Sequence, residues 1–289
     1  MKFSIKTDIP RTYLKKELLS SKFTLSSLRD YIETADIHIE LEHFNIKMHV
    51  IYHSSQFIPR LLLKRVINRL YLVSQQFQID KNIVYWFLPI EENRLYPRDG
   101  TPVTPNSING GYTYPRENEI FVYRYEDFAK VMIHELLHHS IIESKTEWTQ
   151  GQLDNLRYYF NISKDCKLLP NEALVEIWAT YLQLQFISKE YNIPFKKLYD
   201  LECQWGLQQS YRLLSHKNKL NKAGVWHEET NSFTYIVFKT ILLVNLKKFL
   251  KIKMPYNSID IYNFILKHRN IEVYKNKNKS MRISLFGNI

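Results

Sequence analysis

The spacing of apolar residues changes near residue 126, and this change constrains the fold more than any other feature of the sequence. Apolar and polar residues alternate over 37–41 and 46–50, which is typical of strands on a half-buried sheet. After residue 126, apolar residues recur every three or four positions, which is a helical period. The sequence therefore predicts an α+β fold, in which a small mixed sheet and one helix are followed by a mainly helical part.

Three segments are predicted along the chain. Residues 1–35 form a lead-in of uncertain structure, residues 36–143 a sheet subdomain ending in a helix, and residues 144–289 a mainly helical subdomain. In the sheet subdomain we expect a helix over 59–77, a buried strand over 82–90, a long loop over 91–111, and strands over 112–114 and 119–124. Further helices are predicted over 171–188, 194–215, 231–252 and 258–268.

Charge and cysteine content narrow the class of protein. Lys and Arg number 40 against 29 acids, and the resulting net charge of +11 favours a polyanionic or acidic partner. Cys166 and Cys203 are the only cysteines and lack the spacing of a metal site, so a disulfide framework is excluded and a reducing cytoplasm is expected. No stretch is apolar enough for a membrane span or a signal segment, so no membrane partner is expected.

A His-Glu-Leu-Leu-His motif lies on the helix predicted after the last strand. His134 and His138 are four residues apart, so both imidazoles lie on one helical face and can converge on one cation. Glu135 is rotated by about 100° and points beside that cation. The alternative interpretation is an ordinary amphipathic helix with surface histidines.

A catalytic zinc usually has three protein ligands and a water, so a third ligand is needed. Glu172 and Glu176 lie one turn apart at the start of the next predicted amphipathic helix. Two carboxylates at this spacing repel each other unless a cation or a donor separates them. Glu172 is therefore the predicted third ligand. The alternative is that both acids only complement the positive end of the helix.

The two segments together resemble the gluzincin branch of zinc metallopeptidases, the thermolysin-like class. In that branch, a second helix supplies a glutamate ligand from an Asn-Glu-Ala segment, which matches residues 171–173, and an acid four residues later, which matches Glu176. The spacing from Glu172 to Trp178 is also similar to that of the IrrE/ImmA-like peptidases. The resemblance covers roughly 80–190. This sequence departs from the thermolysin type in having a longer gap before Glu172 and no glycines after His138.

The resemblance implies a zincin-like fold and a zinc-dependent metallopeptidase that hydrolyses peptides or proteins. One Zn²⁺ per chain would be held by His134, His138 and Glu172. A zinc-activated water would attack the peptide bond, with Glu135 as the general base and then the acid. Glu176 would orient His134 through its second ring nitrogen.

Further site residues are predicted less sharply. Four residues are candidates for donating a hydrogen bond to the developing oxyanion: Tyr158, Tyr159, His227 and Tyr235. Of these, His227 is favoured. The segment Asn109-Gly110-Gly111 precedes the predicted edge strand at Tyr112 and could allow close approach of a substrate backbone, or could be a simple turn.

A basic interaction protein is the competing hypothesis. Such a protein would bind nucleic acid and keep a zinc site only as a structural element or a relic. The lysines that motivate this hypothesis lie near the C-terminus, at positions 247, 248, 251, 253, 275, 277 and 279. Neither hypothesis predicts an oligomeric state.

Overall fold

The computed structural model describes residues 1–21, 25–97, 101–114, 117–142, 147–220, 224–275 and 279–289. The chain divides into two compact units. Unit 1 comprises Met1–Arg94, Asn109–Ser140 and Phe286–Ile289, and unit 2 comprises Leu95–Ile108 and Ile141–Leu285. The fold is α+β, as the sequence predicts.

A six-stranded mixed sheet forms the centre of unit 1. In chain order the strands are β1 (Lys2–Lys6), β2 (Ile37–His43), β3 (Ile46–Tyr52), β4 (Ile83–Phe87), β5 (Gly111–Thr113) and β6 (Glu119–Val122). Their order in the sheet is β1-β2-β3-β4-β6-β5. Strands β3, β4 and β6 are parallel. Strand β2 runs antiparallel to its neighbours β1 and β3, and β5 runs antiparallel to β6 at the edge. The strands predicted from the alternating pattern are confirmed.

Helices cover the sheet of unit 1 and make up most of unit 2. In chain order they are α1 (Arg11–Leu19), α2 (Leu28–Thr34), α3 (Arg60–Gln76), α4 (Pro105–Ile108), α5 (Phe128–Leu137), α6 (Gln150–Phe160), α7 (Asn171–Tyr191), α8 (Phe195–Leu220), a π-helical turn (Thr234–Phe238), α9 (Lys239–Val244), α10 (Leu246–Phe249) and α11 (Ser258–Lys267). None of the described helices is long and apolar enough to cross a membrane.

The first 35 residues are part of unit 1. Strand β1 extends the sheet by pairing with β2, and α1 and α2 bury a leucine-rich face against one side of the sheet, where they meet Trp86 and Phe121. Helices α3 and α5 contact the strands and each other. Successive side chains of β4 point to opposite faces of the sheet. Trp86 packs with α1 and α2, whereas the Tyr85 hydroxyl donates to the Met132 carbonyl of α5, 3.1 Å away.

In unit 2, α7, α8 and α9 contact one another and the π-helical turn. The predicted continuous helix over 231–252 is wrong in detail, because this stretch comprises a π-helical turn and two shorter α-helices. The Asn245 side-chain amide donates to the Ile241 carbonyl, four residues back, at 3.0 Å. Asn245 has a φ of −109°, so the regular helix ends there, and this side-chain bond satisfies the carbonyl instead.

Helix α6 was not predicted, although its first residues carry a recognisable signal. The Thr149 hydroxyl accepts from the Gln152 backbone N–H, and the Gln152 side chain accepts from the Thr149 backbone N–H at 2.9 Å. This is a capping box, in which Thr-x-x-Gln marks the start of a helix. Both cysteines of the chain, Cys166 and Cys203, are free thiols.

Candidate metal centre

The helix that carries the first four residues of the His-Glu-x-x-His motif is completely buried. All ten residues of α5 are buried, and the helix starts after Asp127, which has a left-handed φ of 65°. The carboxylates of Glu126 and Asp127 each lie 3.4 Å from the guanidinium of Arg94, and Arg94 is only 1% exposed. The sequence places these acids at the positive helix end, but the Asp127 side chain accepts no capping hydrogen bond. Arg94 therefore helps to fix the position at which α5 begins.

The two histidines of the motif direct the same ring nitrogen toward a common point. Nε2 of His134 lies 3.2 Å from Nε2 of His138, and the rings are inclined at 76°. Two nitrogens bound to one zinc at 2.0–2.1 Å with a tetrahedral angle would be about 3.3 Å apart. The observed separation therefore fits two ligands of one ion. His134 lies in the last turn of α5 and His138 directly follows it, at the helix end where the dipole favours a cation.

Glu172 completes a group of three potential ligands. It lies in the first turn of α7, and its carboxylate oxygen and the two imidazole nitrogens all lie within 4.8 Å of one another. His134 is buried, whereas His138 and Glu172 are partly exposed. In the described part of the chain, this is the one group of three or more His, Cys, Asp or Glu side chains with such geometry. The group could hold a metal ion.

Glu135 is buried beside a tyrosine that the sequence analysis did not single out. Burial raises the pKa of Tyr85, and the Glu135 carboxylate raises the pKa of this phenol further. The Tyr85 hydroxyl donates to the backbone of α5 at Met132. Tyr85 lies in an aromatic-rich strand, so only its register in the sheet distinguishes it from its neighbours.

The residue after the motif joins α5 to the edge strand. Nε2 of His139 lies 3.0 Å from Oγ1 of Thr113, which itself donates to the Glu119 carbonyl at 2.9 Å. Strand β5 is therefore attached both to β6 and to the C-terminal end of α5. The sequence predicts that His139 lies off the stripe formed by the other two histidines, either beside the site or at the surface, and gives no indication of its contact with Thr113.

The residues predicted to bind substrate before and in β5 make packing contacts inside unit 1. A methyl group added at Gly110 would overlap the Arg94 guanidinium, and one added at Gly111 would lie 2.8 Å from the Phe121 carbonyl oxygen. Tyr112 is buried, stacks on Phe121, and donates to the Glu17 carbonyl at 3.1 Å. Asn109 is half-buried.

The other predicted residues lie in unit 2. Glu176 is buried on α7, one turn after Glu172. His227 is half-buried between two single β-bridges and does not belong to the group of potential ligands. Tyr235 is half-buried in the π-helical turn, whereas Tyr158 and Tyr159 are exposed on α6.

The neighbour of His227 is an unusual acid that the sequence analysis missed. Burial raises the pKa of Glu228 to about 7, although its carboxylate accepts from the N–H groups of Ser232 at 2.6 Å and Phe233 at 3.2 Å. These bonds satisfy donors at the start of a helical segment. The sequence does contain a signal for this residue, because Glu228 is an acid just before the helical pattern that begins at residue 231.

Comparisons with known proteins identify no relative of this chain. No family model matches the sequence, and no curated protein or solved structure matches it significantly. The interpretation of the site therefore depends on its own residues and geometry.

Proposed function

We propose that this chain is a zinc-dependent metallopeptidase with a zincin-like fold and one Zn²⁺ bound per chain. The proposal depends chiefly on the group formed by His134, His138 and Glu172. Two imidazoles and one carboxylate are a ligand set that catalytic zinc uses, with a further position open. The 3.2 Å separation of the two Nε2 atoms supports binding to a single ion.

The roles of the chain's own groups follow from their chemistry. A zinc ion held by His134, His138 and Glu172 would polarise a carbonyl oxygen and lower the pKa of a bound water. Glu135 accepts a proton from the attacking water and delivers it to the leaving amine, as a general base and then an acid. Glu176 would orient His134 by accepting a hydrogen bond from Nδ1 of this ring, a bond that the structure itself does not contain. His227 and Tyr235 stay the candidates for donating a hydrogen bond to the carbonyl oxygen as negative charge develops on it.

We propose peptides or proteins as the substrates. Strand β5 lies at the edge of the sheet, and its residue Thr113 is hydrogen-bonded to His139 beside the motif. An exposed edge strand can pair with an extended peptide through main-chain hydrogen bonds. Such pairing would bring a peptide alongside the end of α5. The free thiols of Cys166 and Cys203 support a reducing compartment, and we propose the cytoplasm.

The proposal is tested by measuring metal content and peptide cleavage on the same preparation. Elemental analysis is expected to give one zinc per purified chain, and a fluorogenic peptide library is expected to be cleaved. The Glu135→Gln variant should retain zinc and lose activity by about 10²–10⁴-fold, because it removes only the proton acceptor. A matched control is Glu33→Gln, which changes an exposed acid on α2 and should leave activity unchanged.

Two outcomes would contradict the proposal. A chain without stoichiometric zinc would have no metal centre to support catalysis. Stoichiometric zinc without cleavage of any peptide in a broad library would instead indicate a structural zinc site, as the competing hypothesis of a basic interaction protein requires.

A further inference from the structure

Most of the positive charge of the chain comes from one segment near its C-terminus. Residues 247–279 contain nine lysines and arginines and two acids, so they contribute +7 to the total of +11. One of these cations, Lys277, lies outside the described residues. The densest part is the stretch 247–259, which we call the lysine loop. It runs from α10 to the start of α11 and belongs to unit 2.

The lysine loop presents its cations to solvent without neutralising them. Lys247, Lys248, Lys251 and Lys253 are all exposed, and none forms an ion pair with a described residue. Unpaired cations at this density repel one another and so favour an anionic partner.

Apolar side chains are exposed among these lysines. Leu250 is 38% exposed, Met254 is 36% exposed and Ile259 is 55% exposed. Single exposed apolar residues are common, but three of them interspersed with four lysines in one short loop form an amphipathic surface. The aromatic residues of the loop are on its inner side: Phe249 and Tyr256 are buried with ring centroids 5.3 Å apart.

Internal contacts fix this surface to the helices of unit 2. The Tyr256 hydroxyl accepts from Nε1 of Trp178 on α7 at 2.9 Å. At the start of α11, the Asn257 side chain accepts from the Ile259 backbone N–H at 2.9 Å and caps the helix. The loop therefore has a preformed conformation, so little ordering is needed when it binds a partner.

A cleft lies next to the lysine loop. It has a volume of about 400 Å³ and is lined by Ile252, Lys253, Asp260, Asn263, Phe264 and Lys267. Lys253 and Lys267 supply two ammonium groups and Asn263 an amide, opposed by the single carboxylate of Asp260. Two ammonium groups and an amide are donors suited to a phosphate. Phosphate is a component of the headgroups of anionic lipids.

We propose that the lysine loop binds the surface of an anionic lipid bilayer. Lysines attract an anionic leaflet with about 1 kcal/mol each, and aliphatic side chains between them can enter the boundary between headgroups and acyl chains. A surface for single-stranded nucleic acid would instead present aromatic rings between its cations. The rings of this loop are buried, so the observations favour lipid. The inference is independent of the proposed peptidase activity.

Such binding does not conflict with the finding that no described helix is long and apolar enough to cross a membrane. The lack of a long apolar stretch in the sequence predicts only that no segment spans a membrane. Attachment of a folded loop to a bilayer surface needs charge and a few apolar side chains, not a span.

The test uses the full chain and sedimentation with vesicles. Wild-type protein is expected to bind vesicles of phosphatidylcholine mixed with phosphatidylserine, and not vesicles of phosphatidylcholine alone. Changing Lys247, Lys248, Lys251 and Lys253 together to glutamine should weaken binding by at least about 100-fold, since each cation contributes roughly fivefold. A second variant, with Leu250, Met254 and Ile259 changed to serine, keeps every cation and should also bind more weakly.

A matched control separates the lysine loop from total charge. The exposed lysines at 164, 167, 189 and 197 are also in unit 2, and changing these four to glutamine removes the same charge. This control should bind anionic vesicles like the wild type. Circular dichroism and thermal melting of each variant would show that a loss of binding is not a loss of folding.

Three results would overturn the inference. In the first, the wild type shows no preference for anionic over neutral vesicles. In the second, the control variant loses as much binding as the loop variant, so that only net charge matters. In the third, a single-stranded oligonucleotide binds the wild type through the lysine loop while anionic vesicles do not, which would assign the surface to nucleic acid.

Discussion

The two helices that supply the potential metal ligands are built differently. Helix α5 has ten residues, all of them buried in unit 1, and the histidines lie at its C-terminal end. Helix α7 has 21 residues in unit 2 and presents Glu172 in its first turn. The negative end of the first helix dipole suits a cation, and the positive end of the second suits a carboxylate. The end of α5 therefore favours a bound cation, and the start of α7 favours the carboxylate of Glu172.

The comparison also shows why the ligands differ in how well sequence predicts them. His134 and His138 are brought together by the helical repeat alone, so their 3.2 Å separation follows from local structure. Glu172 is 34 positions after His138, and its position near the histidines depends on tertiary structure. The most sensitive test of the predicted ligand set therefore changes residues of α7 and leaves α5 intact.

The largest expected effect is the loss of metal on changing Glu172→Ala. This change removes one of three ligands, so zinc should fall well below one equivalent per chain after dialysis, as measured by elemental analysis. Glu176→Ala leaves all three ligands in place and should weaken zinc binding by only about 10–100-fold, because it removes an orienting group. Glu176→Gln, which keeps a polar side chain of similar size, serves if the alanine variant of this buried residue is unstable.

If Glu172→Ala retained stoichiometric zinc, the assignment of Glu172 as a ligand would be wrong. If Glu176→Ala emptied the site and Glu172→Ala did not, the roles of the two glutamates would be reversed. Either result would mean that α7 contributes to the site differently from the way its sequence suggests.

The next largest effect is a loss of stability on changing Gly110, which packs against the arginine at the start of α5. A methyl group at Gly110 would overlap the guanidinium of Arg94, which is buried and bound to the acids at that helix start. Gly110→Ala should therefore lower the free energy of unfolding by about 1–3 kcal/mol, the usual effect of overpacking. Urea denaturation followed by circular dichroism would measure it.

Gly151→Ala is the matched control in unit 2. A methyl group at this position of α6 would meet no atom within 4 Å, and alanine favours a helix over glycine by up to about 1 kcal/mol. This variant should be as stable as the wild type or slightly more stable. If Gly110→Ala kept full stability yet lost peptide cleavage, Gly110 would be a substrate contact, as the sequence analysis suggested, and not a packing position.

Sequence predicts those parts of the fold that depend on local repeats. Alternation locates β2 and β3, and the helical period locates α3 and most of α7 and α8. The capping box at Thr149 could have located α6, because the signal lies within four residues. The contact of Arg94 with the start of α5 could not be predicted, because it joins residues more than 30 positions apart. The same limit applies to Tyr85, whose proximity to Glu135 depends on sheet register.

The smallest effect contrasts one titrating residue in each unit. In unit 1, burial, and to a smaller extent the neighbouring His38, lowers the pKa of His49 to about 4. In unit 2, burial raises the pKa of Glu228 to about 7. The unfolded chain has ordinary values near 6.5 for His and 4.5 for Glu. The two residues should therefore give stability opposite dependences on pH.

The sign for each residue follows from which state binds more protons. Between about pH 6.5 and pH 4, the unfolded chain protonates His49 and the folded chain does not, so His49 lowers stability as the pH falls. Between about pH 4.5 and pH 7, the folded chain keeps the Glu228 proton and the unfolded chain releases it, so Glu228 lowers stability as the pH rises. Each effect should be on the order of 1 kcal/mol.

Two substitutions measured by urea denaturation across pH 4–7 separate these contributions. His49→Gln should reduce the loss of stability toward acid pH, and Glu228→Gln should reduce the loss toward neutral pH, because glutamine does not titrate. The single side-chain oxygen of glutamine can keep the hydrogen bond from the Ser232 backbone but not the one from Phe233, which donates to the other carboxylate oxygen. If both variants changed the pH profile in the same direction, the contrast between the units would be wrong. Burial of a base and burial of an acid would then not be the dominant causes of the two pKa shifts.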